Sequence, residues 1–352
     1  MRALIVADDL TGALDSAVTL AAAGLAVVAA RRPGDVAAAL AERPDVLAVS
    51  TASREGGAAA AREAVAAALD AVGVLPEIVL KKVDSRLKGH VAVEVAATAA
   101  RAGLARAVAA PGVPSQGRTV ADGRLRGPGV AAPIDVAAAL AGAGLEVEVP
   151  DTDGDGDFDA AVARALGGSP ALLVGAAGLA AALGRRLGRE GAAARPRVEA
   201  PILLAIGSRD PITLAQVARL EAAGRTAVLA PDGVCGAAPA GPVALVRLTA
   251  AEGRGFDPAA AGARFAEGIA RMAERGGFAT VLGCGGETAD AILGALGVGV
   301  LRVEGEILPG VPVSAMLAGG RPMRLVTKSG GFGGEDALAQ VVEAAVGPRE
   351  AA

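Results

Sequence analysis

Three groups of residues in this chain have types and spacings that could do chemistry. Asp8 and Asp9 stand side by side after the apolar run Ala3–Ala7, with Thr11-Gly12 close behind. Adjacent carboxylates at a strand end are costly to bury without a partner. They can act as a base toward a substrate hydroxyl or hold Mg2+. The plain alternative is that Asp9 or Thr11 caps the following helix. The second group is Lys81-Lys82-Val83-Asp84-Ser85-Arg86-Leu87-Lys88-Gly89, which contains three of the chain's four lysines. Ammonium groups are compact point charges suited to an anion, whereas guanidinium suits planar bidentate recognition. The third group is a pair of glycine turns, Gly283-Cys284-Gly285-Gly286-Glu287-Thr288 and Lys328-Ser329-Gly330-Gly331-Phe332-Gly333, each following an apolar strand pattern. Such turns let backbone N–H groups approach a phosphate at a helix N-terminus. Ser208, at another strand end before a helix, adds a hydroxyl.

Other chemistries are excluded by what is missing. His90 is the only histidine, and no G-x-S-x-G elbow accompanies it. One histidine and two distant cysteines, Cys235 and Cys284, make neither a zinc site nor a disulfide framework. The net charge of −4 comes with neither a basic stripe nor aromatic platforms, so nucleic acid is not an expected partner. Hydrophobic residues are 53% of the chain, yet no apolar run approaches the roughly 20 residues that span a bilayer. A cytoplasmic protein without a membrane partner is expected. Asp151-Thr152-Asp153-Gly154-Asp155-Gly156 imitates the opening of a calcium loop, but the twelfth position is Val162, so these aspartates are read as a strand end and a cap for a helix over Phe158–Leu166.

Short strands at Ala3–Ala7, Leu25–Ala30, Val46–Ser50, Glu77–Val83 and Ala105–Ala110 alternate with helical patterns and glycine stops. A helix is expected over Pro133–Ala141 and a strand over Glu146–Val149. After a linker at about 187–200, a second alternating pattern starts with Ile202–Ile206. The fold class is therefore α/β, with two α/β domains, 1–190 and 200–352, built on mainly parallel sheets. Carboxyl ends of strands in such sheets are where ligands sit. There is neither Trp nor Tyr, so the cores must be made of Ala, Leu, Val and Ile, and the surface gives no interface signal. A homo-oligomer is left open.

Taken in order, Ala7–Asp15 (ADDLTGALD), Lys81–His90, Ala110–Val120 (APGVPSQGRTV), Gly175–Ala180, Gly207–Gln216, Gly283–Ala289 and Thr327–Gly333 resemble the four-carbon acid sugar kinases. The resemblance implies an N-terminal domain for the acid sugar, a C-terminal domain for ATP, and an active site in the cleft between them. It places Asp8, Lys82, Asp84, Ser85 and Arg86 in acid-sugar motifs, and Ser208, Gly283, Cys284, Gly285, Gly286 and Gly330 in ATP motifs. Arg86 and His90 depart from the family's usual small hydroxyl and amide.

The expected activity is transfer of the ATP γ-phosphoryl group, with Mg2+, to a hydroxyl of threonate, erythronate or a 3-oxo-tetronate. Asp8, Asp9 and Lys82 are the catalytic candidates. Lys81, Asp84, Ser85, Arg86 and Lys88 are assigned to the acid. Ser208, Gly283, Cys284, Gly285, Gly286, Glu287, Lys328, Gly330 and Gly331 are assigned to the nucleotide. The residues single out no metal ligands. A kinase of another hydroxy acid, or a ligand sensor that transfers no phosphate, are the alternatives.

Overall fold

A computed structural model describes residues 1–188, 196–253, 255–317 and 322–347. The chain divides into two compact units, Met1–Ala193 and Ala194–Ala352. Half of the expected linker, residues 189–195, lies outside the described residues. Among the described residues no helix is long and apolar enough to cross a membrane.

The first unit runs β1 (Ala3–Ala7), α1 (Leu10–Ala22), β2 (Val27–Ala30), α2 (Val36–Ala41), β3 (Val46–Ser50), α3 (Ala58–Val72), β4 (Ile78–Lys82), α4 (Val91–Ala102) and β5 (Arg106–Ala110). It continues with β6 (Thr119–Ala121), β7 (Arg124–Arg126), β8 (Ile134–Asp135), α5 (Val136–Ala139), β9 (Glu146–Glu148), α6 (Asp155–Leu166), β10 (Leu172–Gly175) and α7 (Ala177–Leu187). Its main sheet has the order β2-β3-β1-β4-β10-β5-β9, and every pairing is parallel. All five residues of β1 and of β3 are buried, as expected for strands covered on both faces. The chain moves from β1 outward to β2 and β3, then crosses to β4 on the other side. The β1/β4 boundary is thus the switch point of the sheet, where ligands characteristically bind.

The second unit runs β11 (Ile202–Ile206), α8 (Pro211–Ala222), β12 (Val228–Pro231), β13 (Val243–Thr249), α9 (Pro258–Arg275), β14 (Thr280–Cys284), α10 (Gly286–Ala295), β15 (Val300–Leu308), β16 (Val311–Met316), β17 (Arg324–Lys328) and α11 (Ala337–Val346). In the order β12-β13-β11-β14-β17 the strands are parallel; β16 and β15 extend that edge antiparallel. The switch point here lies between β11 and β14. A core of Ile202, Leu204, Ile206, Leu282, Val326, Leu338 and Val341 stands behind it, aliphatic as the composition requires.

One local expectation is corrected, and two antiparallel elements are added to it. The helix over Pro133–Ala141 is a short strand, β8, followed by a single turn, α5, capped by Asp135, which accepts from Ala138 N–H at 2.9 Å. β8 completes a small antiparallel sheet, β6-β7-β8, absent from the sequence reading. Its signal was Asp122-Gly123, which joins β6 and β7 with φ of +52° and +69°, as the tight turn of a right-twisted hairpin requires. The β15–β16 hairpin was likewise missed, although Pro309-Gly310 announces it. The aspartates after residue 150 do cap a helix: Asp157 accepts from the N–H groups of Asp153 and Gly154 at 3.0 and 3.1 Å, and α6 starts at Asp155.

Candidate active site

In the first unit, β1 delivers Asp8 and Asp9 to the switch point. Asp9 has extended backbone and is the N-cap of α1: Oδ1 accepts from Gly12 N–H at 2.7 Å and Oδ2 from Thr11 Oγ1 at 2.9 Å. Asp8 is 3% exposed and needs a cation. It has one that the sequence reading did not single out. Arg54, in the loop after β3, donates from Nη2 to Asp8 Oδ1 and from Nε to Oδ2, both at 2.8 Å. Its Nη1 donates to Asp9 Oδ2 at 2.6 Å and stands 4.0 Å from Asp84 Oδ2. Burial pushes the Asp8 carboxyl upward, but the Arg54 hydrogen bonds and the charges of Lys81, Arg54 and Lys82 outweigh it and hold the group below its ordinary value. Burial acts against the Arg54 charge, yet the same partners drive its pKa further up. A position just past β3, beside β1 in the sheet, was the available signal for Arg54.

Strand alternation separates the two neighbouring lysines. Lys82 turns toward α1, where a Cβ on Gly12 would stand 3.1 Å from Nζ and even closer to Asp9, so Gly12 leaves room for both groups. Lys82 Nζ donates to the Val83 carbonyl at 2.7 Å. Lys81 turns to the other face, fully buried, with Nζ 2.7 Å from Glu94 Oε2 on α4. Ser53 Oγ donates to Glu94 Oε1, and the Ser53 N–H bonds the Asp8 carbonyl. The expectation that Lys81 contacts the acid is therefore corrected: its ammonium is enclosed and neutralised, and it anchors the loop that carries Arg54.

Beyond β4, Asp84 Oδ1 accepts from the Arg86 N–H at 2.9 Å, folding the chain into a turn that leaves Leu87 at φ +56°. Asp84 is ion-paired to Arg86 Nε at 3.9 Å. Lys88 is exposed. Ser85 Oγ accepts from Arg118 Nη1 at 2.9 Å, bringing in a second arginine that the sequence reading left unassigned. His90 holds the Gly56 carbonyl through Nε2 and precedes α4.

In the second unit, the turns after β11, β14 and β17 lie side by side. Gly207 and Ser208 N–H groups both donate to the Cys284 carbonyl, at 3.2 and 3.1 Å, and Gly285 N–H donates to the Lys328 carbonyl at 2.8 Å. Glycine is required where these turns touch: a Cβ on Gly330 would overlap Ser208 Oγ, and Gly285 has φ +108°. Gly283, at the end of β14, lies against Ala289 of α10, where a Cβ would come within 2.8 Å. Gly286 opens α10 and Glu287, in its first turn, is exposed.

The last turn is fixed by its carbonyls. Lys328 Nζ, fully buried, donates to the carbonyls of Ser329 at 3.1 Å and Gly330 at 3.2 Å. Thr213 Oγ1 donates to the Gly330 carbonyl at 2.6 Å, and Gln216 Nε2 reaches the carbonyls of Phe332, Gly333 and Gly334. With the carbonyls drawn inward, the N–H groups of Gly330 and Gly331 donate to no acceptor among the described residues, the arrangement an anion needs. Lys328 is thus an organiser of the turn, and burial lowers its pKa. Cys284 is buried beside it, its thiol pushed up by burial, so its side chain is closed to a ligand. Phe332 packs tightly on the Gly310 turn of the β15–β16 hairpin.

Residues 3–135 match the model of a sugar-binding N-terminal domain, and residues 237–338 that of a nucleotide-binding C-terminal domain. The chain is 32% identical to a D-threonate kinase of Cupriavidus necator, covering 96% of each chain. It is 33% identical to a D-threonate kinase of Bordetella bronchiseptica, over 97% of this chain and 96% of that one. The chain belongs to the four-carbon acid sugar kinase family. A solved Haemophilus influenzae protein, 20% identical, shares the fold with a TM-score of 0.71 over 96% of this chain and 98% of that one. Within this acid sugar kinase family member, the sugar-binding match contains Asp8, Arg54, Lys82 to Lys88 and Arg118. The nucleotide-binding match contains the turns at Gly283 to Glu287 and Lys328 to Gly331, while Ser208, Thr213 and Gln216 precede it.

Proposed function

We propose that this chain is a cytoplasmic ATP-dependent kinase that phosphorylates a hydroxyl of a four-carbon acid sugar of the threonate, erythronate or 3-oxo-tetronate type. The first unit takes the acid and the second takes the nucleotide. The observation that carries this reading is the Asp8–Arg54–Asp9 cluster at the β1/β4 switch point, in a chain aligned end to end with two D-threonate kinases. Phosphoryl transfer asks a protein mainly to position groups and to neutralise charge. Asp8, held ionised, accepts a hydrogen bond from the attacking hydroxyl and takes its proton late in the reaction. Its depressed pKa makes it a weak base, which suits a loose transition state in which little proton transfer precedes bond breaking. Lys82 supplies positive charge beside Asp8, and Arg86 supplies it toward the substrate carboxylate.

For the nucleotide, the backbone N–H groups of Gly330 and Gly331, the N-terminus of α10 at Gly285 and Gly286, and the Ser208 hydroxyl are the phosphate-binding groups. Mg2+ bound with ATP neutralises phosphate charge. The residues of this chain fit such an ion only in part: each oxygen of Asp8 and Asp9 already accepts a hydrogen bond, and among the described residues no three metal-binding side chains converge. Magnesium commonly needs only one or two carboxylates alongside phosphates and water.

The test is an assay of ATP-dependent phosphate transfer to a panel of four-carbon acids, with and without Mg2+, on wild type and Asp8→Ala. Asp8→Ala should lower kcat by about two to four orders of magnitude and leave nucleotide affinity within about twofold. Normal turnover in Asp8→Ala would overturn the role given to Asp8, and a wild type that phosphorylates none of the acids would overturn the kinase reading itself.

A further inference from the structure

Arg118 and Arg86 approach each other from two different loops of the first unit. Arg118 leads from the 113–118 turn into β6, and Arg86 follows β4. A Cβ built on Gly129 would lie 3.2 Å from Arg86 Nη1 and 3.9 Å from Arg118 Nη2, so both guanidiniums border the space this glycine leaves open. Gly129 has φ +78°, a backbone conformation that disfavours a side chain in any case. The Arg118 guanidinium is fixed on three sides: Nε donates to the Pro128 carbonyl at 2.9 Å, and Nη1 to Ser85 Oγ at 2.9 Å and to Gln116 Oε1.

These partners are all neutral. Among the described residues no carboxylate stands within 4.0 Å of Arg118, and its Nη2 donates to no protein acceptor. Arg86 has only its Nε beside Asp84, at 3.9 Å, which leaves its terminal nitrogens facing the same gap. The two like charges repel each other, and the charges of Asp84, 3.9 Å from Arg86, and of Asp15 oppose that repulsion only in part. Burial, and then the charge of Arg86, push the Arg118 pKa below its ordinary value, the direction such repulsion requires. Other arginines of the unit, Arg54, Arg101, Arg106, Arg164 and Arg185, do stand within 4.0 Å of a carboxylate. A preorganised pair of guanidiniums, one of them hydrogen-bonded only to neutral groups, is a receptor for a planar anion.

We propose that Arg118 binds the substrate carboxylate directly, forming with Arg86 a two-guanidinium seat for the acid group, and that Ser85 and Gln116 hold Arg118 in place. Arg118 then sets the enzyme's selectivity for acids over the corresponding neutral polyols. The inference rests on the reading that the first unit binds the acid. Asp84 stands between the two ends of the site, 4.0 Å from Arg54 and 3.9 Å from Arg86. It separates the carboxylate seat from the Asp8 end and keeps a second anion from settling there.

The experiment compares wild type with Arg118→Ala and Arg118→Lys, using threonate in steady-state kinetics and in calorimetric titration without nucleotide. Arg118→Ala should raise KM for threonate by about 10- to 100-fold, the loss expected for a charge-assisted hydrogen bond. Its kcat and its KM for ATP should stay within about threefold, and millimolar guanidinium ion should restore part of the lost affinity. Arg118→Lys should fall in between. An unchanged KM for threonate would overturn the proposal. So would a parallel loss of kcat and thermal stability without guanidinium rescue, which would mark Arg118 as scaffolding. A wild type that binds threonate but transfers no phosphate would refute the kinase reading alone, since the titration still decides the place of Arg118.

Discussion

Arg54 serves three carboxylates at once, and its removal is the most informative single change in the first unit. Truncating one partner of a buried ion pair leaves the other uncompensated, at a cost of about 3–5 kcal/mol. Asp8 is 3% exposed, whereas the Arg54 side chain is 21% exposed, so the lower end of that range applies. Arg54→Ala should therefore lower unfolding free energy by about 3 kcal/mol in a denaturant titration at neutral pH. The pH dependence has a definite sign. Asp8 has a folded pKa below its ordinary 3.8, so it contributes stability in full above that value and loses it as pH falls toward the folded pKa. The acid limb of a stability–pH curve should be steeper for wild type than for Arg54→Ala, and equal slopes would remove the clamp from the account. Asp8, Asp9 and Lys82 were legible as candidates because charge at a strand end stands out in an alanine-rich chain. Lys81 was misread because two adjacent lysines look like one patch until strand alternation sends them to opposite faces.

At the scale of elements, the glycine turns could be seen in the sequence but their fastenings could not. Thr213 and Gln216 sit on one face of α8, more than a hundred residues before the carbonyls they bind, and nothing in their local spelling reveals that partnership. The hairpins β6–β7 and β15–β16 were legible in principle from Asp122-Gly123 and Pro309-Gly310, but the prevailing βα rhythm hid them. The carbonyl-gathering face formed by Lys328, Thr213 and Gln216 leads to a prediction. Lys328→Met keeps the bulk and removes the donor to Ser329 and Gly330. It should raise KM for ATP by about tenfold, the effect of roughly one lost hydrogen bond or slightly more, with KM for the acid unchanged. If Lys328→Met alters the acid KM instead, the turn does not belong to the nucleotide. Gln216→Leu should act in the same direction.

Across the whole molecule, each unit has its own switch point and aliphatic core, a division that the two successive βα patterns made legible. The two ligands should therefore stabilise the protein separately. A ligand at about 100 times its Kd adds about 2.7 kcal/mol to folded-state stability, a shift of a few degrees in the melting of a chain this size. Threonate should raise the melting temperature of wild type and of Lys328→Met more than that of Arg118→Ala. ATP should raise that of wild type and Arg118→Ala more than that of Lys328→Met. Loss of both responses in either variant would show that the two sites are not separable. The packing of Phe332 on the Gly310 turn, beside the N–H groups proposed for phosphate, has a spectroscopic consequence. The chain contains neither Trp nor Tyr and only five Phe, so it is nearly dark in the near ultraviolet. Phe332→Trp would make a single indole the sole emitter of the protein, next to the turn assigned to ATP, and its emission could follow nucleotide occupancy on a background close to zero.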